Sequence, residues 1–185
     1  MKSYVVLLRG INVGGKNNIS MTELKFCLEE QGFEDVMTYI QSGNVILQSS
    51  LDATALGQKI EAMLSNKFKL DSSIIKVLIL TEDQLQAVID ERPKGFGEQP
   101  DKYHSDAIYL MGIDADQAMS VFNPREGVDQ VWPGNCVIYS QRLSALRTKS
   151  RLSKIVGTPA YQSMTIRSWS TTTKLLSLMQ LNNKK

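Results

Sequence analysis

The stretch Val36-Met37-Thr38-Tyr39-Ile40-Gln41-Ser42-Gly43-Asn44-Val45-Ile46-Leu47-Gln48 decides the fold. Two strand-forming runs, Val36 to Gln41 and Val45 to Gln48, flank Ser42-Gly43-Asn44, a tight turn in which Gly43 takes a backbone conformation that other residues resist. A β-hairpin therefore centres the first half of the chain. Upstream, Tyr4 to Leu8 is a continuous apolar run, as expected for a central strand covered on both faces. Between that strand and the hairpin, Ser20-Met21-Thr22-Glu23 reads as a capping box. It opens a helix to about Gln31, with Leu24, Cys27 and Leu28 on one face and Gly32 as C-cap. Downstream, Leu56, Ile60, Met63, Leu64 and Phe68 repeat at helical spacing, and Ile74 to Leu80 is another apolar strand. The order βαββαβ is that of a ferredoxin-like split βαβ unit, two helices on one face of an antiparallel sheet.

The same order recurs further on. A helix with Leu85, Val88 and Ile89 leads into the connector Arg92-Pro93-Lys94-Gly95-Phe96-Gly97. Ala107 to Met111 is a strand, Asp114 to Phe122 a short helix, and Val128 to Trp132 with Cys136 to Tyr139 a hairpin about Pro133-Gly134. Leu152, Ile155 and Val156 mark a short helix, Met164 to Arg167 a last strand, and Leu175, Leu176 and Met179 a terminal helix. The expected fold is α+β: two ferredoxin-like (α/β-plait) subdomains, each βαββαβ with an antiparallel sheet, plus a C-terminal helix. Residues 1–81 form the first subdomain, 82–103 a helix and Pro/Gly-rich connector, and 104–185 the second subdomain.

Composition sets the outer limits. The 185 residues are 42% hydrophobic and 22% charged, which fits a globular chain and excludes disorder, collagen and coiled coil. No apolar run reaches the roughly 18 residues of a membrane span, so no membrane association is expected and the expected compartment is the cytoplasm. Cys27 and Cys136 read as two reduced, buried thiols. The net charge of +2 hides a strong asymmetry: residues 82–129 carry four bases against eleven acids, and residues 130–185 carry nine bases and no acid. That positive segment either packs against the acidic middle or meets phosphate, nucleotide or nucleic acid.

The loop Arg9-Gly10-Ile11-Asn12-Val13-Gly14-Gly15-Lys16-Asn17-Asn18 joins the first strand to the first helix. Gly10, Gly14 and Gly15 with Arg9 and Lys16 are the ingredients of an anion nest. Gly10, Gly15 and Lys16 match the spacing of a phosphate-binding P-loop, but Asn17 stands where the metal-binding Ser or Thr belongs. Near the other end, Arg147, Arg151 and Lys154 fall on one face of a short helix. Arg167-Ser168-Trp169-Ser170-Thr171-Thr172-Thr173-Lys174 places an aromatic, two cations and hydroxyls at a helix start, with Ser170 or Thr171 as N-cap. A phosphate could rest on that N-terminus beside Arg167, and a base could stack on Trp169. His104, the sole histidine, reads as a surface residue, and neither a catalytic triad, a metal site nor a cofactor is identified.

Three segments, LLRGINVGGKNNISM (7–21), TYIQSGNVIL (38–47) and GTPAYQSMTIRSWSTTTKLL (157–176), together resemble the bacterial family of unknown function DUF1697. The resemblance implies two α/β-plait subdomains and a basic-aromatic element in which Arg167, Trp169, Thr171 and Lys174 match, while Ser168 and Ser170 stand in for asparagines. The expected function is binding of a phosphorylated small molecule or nucleotide, with Arg9, Asn12, Gly14, Gly15, Lys16, Arg167, Trp169, Thr171 and Lys174 as the anion-binding set. The rivals are a nucleic-acid-binding module on the basic C-terminal face, disfavoured by an aromatic content of 7%, and a structural or partner-binding protein.

Overall fold

The structure is a computed structural model that describes residues 1–71 and 75–183. It is α+β, with two four-stranded antiparallel sheets. The chain falls into two compact units, Met1–Leu85 with Lys174–Lys185, and Gln86–Thr173.

In the first unit, strands β1 (Lys2–Arg9), β2 (Glu34–Tyr39), β3 (Asn44–Ser49) and β4 (Lys76–Thr81) lie in the order β2-β3-β1-β4. Ile74, where the last of these was expected to begin, lies outside the described residues. Tyr4 to Leu8 are all buried, as a strand paired on both sides and covered on both faces requires. Helices α1 (Met21–Glu30) and α2 (Ala53–Lys67) cover one face, packing Leu24, Leu28, Leu56 and Ile60 onto Tyr4, Val6, Leu8 and Leu47. Each fully buried Leu or Ile contributes about 1.5 to 3 kcal/mol. Both helices are capped locally: the Ser20 side chain accepts from the Glu23 amide, and Asp52 Oδ1 from the Ala55 amide. Gly32, at φ +83°, follows the end of α1 as its C-cap reading requires.

In the second unit, β5 (Tyr103–Leu110), β6 (Asp129–Pro133), β7 (Val137–Leu143) and β8 (Met164–Ser168) take the order β6-β7-β5-β8. Helix α3 (Glu82–Asp90) precedes them, the five-residue α4 (Ala115–Met119) follows β5, and α5 (Trp169–Asn182) follows β8. One helix expected between β7 and β8 is instead three short 3-10 segments, 144–149, 152–157 and 159–163. Extended Ser150 and Thr158 interrupt them. Arg147 and Lys154 therefore sit on different segments, and the cationic stripe expected of a single helix does not form. The face bearing Ile108, Leu110, Ile138 and Met164 packs on α4 and the last two of these segments. On the other face, Phe96 stands edge-on to Tyr139 and Trp169, at ring distances of 5.3 and 5.0 Å.

Candidate functional site

The β1–α1 loop spends its polar groups on itself and on the backbone beside it. Gly14 and Gly15 both have positive φ (+59° and +75°), and the Lys16 amide donates to the Val13 carbonyl, closing a two-residue turn of the hairpin type. That amide is used internally, so the loop is a protruding turn with Gly14, Gly15 and Lys16 exposed at its tip. Asn12, at φ +52°, accepts from the Ile19 amide (2.7 Å) and donates to the carbonyls of Ile19 (3.1 Å) and Gln41 (2.8 Å). Asn17 clamps the same loop by donating to the Gly10 carbonyl at 2.8 Å. Asn12 thus braces the loop.

The same bonds bring the β2–β3 turn onto this loop. Because β1 and β3 run antiparallel with Leu7 opposite Asn44, the end of β1 lies beside the start of β3. The Leu8 amide then reaches the Gly43 carbonyl at 2.8 Å. A Cβ on Gly43 would come within 2.7 Å of Ile11 Cδ1, and its φ of +77° adds strain for any other residue. The turn itself is Ile40–Gly43, beginning two residues before Ser42-Gly43-Asn44 and ending one before it, and Asn44 is a buried strand residue donating to the Tyr39 carbonyl.

The basic-aromatic segment divides. Arg167 is buried, and its guanidinium donates to Thr165 Oγ1 (3.1 Å) and the Ile166 carbonyl (2.9 Å); burial lowers its pKa to about 10. It is therefore an internal cation of the sheet; the sequence reading set it among the anion-binding residues. Beside it, burial pushes the Tyr109 hydroxyl up to about 12 while that hydroxyl pairs with Thr172 Oγ1 at 3.1 Å. Thr171 is buried too, and the helix starts earlier than expected: Ser168 Oγ accepts from the Thr171 amide (3.2 Å), so Ser168 takes the capping role given to Ser170 or Thr171. Arg9 is partly exposed at the end of β1, and Lys174 is exposed on α5.

What the segment does form is one wall of a notch. Strand β8 stops at Ser168, opposite Asp106, so Tyr103, His104 and Ser105 at the start of β5 have no partner on that side. The chain turns there into α5, leaving a pocket of about 470 Å³ between the start of β5 and Ser168, Trp169, Ser170 and Thr173. Gly97 and Pro100 close it from the connector. The indole of Trp169 lies against Gly97, whose backbone has φ +76° and where a Cβ would overlap the ring. Ser168 Oγ also touches the hydroxyls of Ser170 (3.1 Å) and Thr171 (2.9 Å).

His104, read from the sequence as a surface residue, is half-exposed and sits against a carboxylate. Its Nε2 lies 3.1 Å from Asp106 Oδ1, and Arg142 NH1 lies 3.9 Å from the other oxygen. Burial raises the Asp106 pKa, against the pull of His104 and Arg142. The signal was present as strand alternation: His104 and Asp106, two apart, share a face once β5 starts at Tyr103 instead of Ala107. Asp129 is a buried carboxylate. Its Oδ2 accepts from the amides of Arg125 (3.0 Å) and Arg151 (2.8 Å), and these bonds outweigh its burial and hold its pKa below the usual carboxylate value. The acidic middle thus meets the basic segment through the Arg142–Asp106 pair and the Arg151 backbone amide on Asp129. Of the two thiols, Cys27 is buried, with its pKa raised by desolvation, whereas Cys136 is exposed in the β6–β7 turn at φ +57°.

The fold and the notch define an α+β protein of two antiparallel sheets with an open, hydroxyl- and aromatic-lined pocket in the second. The family model described as "Protein of unknown function (DUF1697)" matches residues 1–139, well over half of the chain, and the chain belongs to that family. Among solved structures it is similar to the conserved bacterial protein SP0830 from Streptococcus pneumoniae, at 26% identity and a TM-score of 0.81. That likeness covers 96% of this chain and 98% of the other. None of the curated proteins matches. Among the described residues no helix is long and apolar enough to cross a membrane, and no group of three or more His, Cys, Asp or Glu side chains is placed to hold a metal ion.

Proposed function

We propose that the protein binds a phosphorylated small molecule or nucleotide, and that the notch at the start of α5 is where it does so. The observation that carries this reading is the combination lining that pocket: the Trp169 indole beside the Ser168 and Ser170 hydroxyls, at the first turn of a 14-residue helix. An indole offers a stacking surface to a base, hydroxyls donate to phosphate oxygens, and a helix start carries partial positive charge. The acid-free segment that follows residue 129 draws anions toward this part of the chain. We also read each sheet as ferredoxin-like, a reading supported by the matching strand orders.

Thermal-shift titration with AMP, ribose 5-phosphate and inorganic phosphate tests the proposal. AMP raises the melting temperature of the wild type, Trp169→Leu removes most of that rise, and Lys16→Ala leaves it in place. No shift with any of the three compounds overturns the reading. Loss of the AMP shift in Lys16→Ala, with Trp169→Leu unaffected, moves the site to the β1–α1 loop.

A further inference from the structure

Resting on that reading, we infer that His104 is the group that recognises the phosphate in this pocket, and that it does so only when protonated. None of the side chains lining the pocket is a lysine, arginine, aspartate or glutamate; its titratable members are Tyr103 and His104. Among the side chains that line the pocket, only the imidazole can present a positive charge to a phosphate ester. The connector contributes Gly97 and Pro100, and α5 contributes Trp169, Ser170 and Thr173, all uncharged.

Asp106 sets the tautomer. Its Oδ1 is 3.1 Å from His104 Nε2, so the neutral ring keeps its proton on Nε2 and leaves Nδ1 as a bare acceptor. A bare lone pair repels a phosphate oxygen. Protonation converts the same atom into a charged donor, so one proton changes the contact from repulsive to charge-assisted. The charged groups nearest the imidazole are Asp106, on its own strand, and Arg142 of β7, whose NH1 lies 3.9 Å from the other Asp106 oxygen. Lys102 is turned to the ring of Tyr103, 5.1 Å from its centroid. His104 is about half exposed, its side chain at 45% relative accessibility, so protons reach it from solvent.

The test is calorimetric binding of AMP and of adenosine to the full chain across about pH 5.5 to 8.5, the range in which histidines titrate in proteins. AMP is expected to bind about tenfold more tightly at the acid end, the scale of one charge-assisted hydrogen bond, and adenosine equally at both ends. His104→Gln keeps a side chain of similar reach without a titrating charge. It leaves AMP binding at the alkaline end unchanged and removes the gain in acid, so that what slope remains is the ligand's own second ionisation at about pH 6. His104→Lys, charged throughout, binds AMP tightly at every pH in the range. An AMP profile in His104→Gln that matches the wild type overturns this inference while leaving the binding site standing. Failure of AMP and adenosine to bind at any pH overturns the site and the inference together.

Discussion

Two strand-to-helix junctions, β1 to α1 in the first unit and β8 to α5 in the second, are both rich in small polar residues, yet they use them in opposite ways. At the first, Asn12 and Asn17 turn inward and brace the loop, Asn12 reaching the Gln41 carbonyl 29 positions along. At the second, Ser168, Ser170 and Thr171 reach no further than one another and the first turn of the helix. The cause is reach and valence. A carboxamide holds a donor and an acceptor on a planar group long enough to bridge two loops, whereas a hydroxyl satisfies only what is adjacent. Polar density in a sequence is therefore a poor guide to a ligand site, since long amides close a loop and short hydroxyls leave a notch open.

Substitutions that should separate the two junctions fall in a clear order. Gly97→Ala has the largest effect, a loss of about 4 kcal/mol, because its Cβ overlaps the Trp169 indole and its φ is +76°; denaturant unfolding reads it. Asp129→Ala comes next at about 3 kcal/mol, as two backbone amides lose a charged acceptor. Because the folded-state pKa of Asp129 is depressed, its contribution is present above the unfolded value of about 3.9 and is lost as pH falls from there toward the folded value. A wild-type-minus-variant difference that stays constant through that window contradicts the assignment. Asn12→Ala costs about 2 kcal/mol through three lost hydrogen bonds, and since no ionisation is involved the cost is the same at pH 4 and pH 7. Gly15→Ala costs least, about 1 kcal/mol, from its φ of +75° alone, because nothing lies within 4 Å of the added methyl. If Gly15→Ala equals Gly97→Ala, the exposed-tip description of the first loop is wrong.

The strands were legible because their apolar runs are short and bounded by turn residues, and both hairpins follow from Gly43 and Gly134. The segment after β7 was not. Leu152, Ile155 and Val156 fit a helical face, but Ser150 and Thr158 adopt extended backbone and cut the helix into 3-10 turns, a choice made by packing against the sheet. At the site, Trp169 was legible as an aromatic at a helix start. Arg167 misled because burial is decided by its place opposite Ala107 in the sheet, and His104 was hidden because the β5 start has polar residues where a strand reading looks for apolar ones.

The first unit is completed by the last part of α5, where Asn182 donates to the Asp35 carbonyl at 3.1 Å and Asn183 to Glu82 at 2.6 Å. During synthesis, then, the half of the protein made first is the half finished last. Its sheet can pair as soon as β4 has left the ribosome, but its closing contacts wait until the second unit has been made. A released chain truncated after residue 173 should hold a complete second unit and a first unit still open to protease.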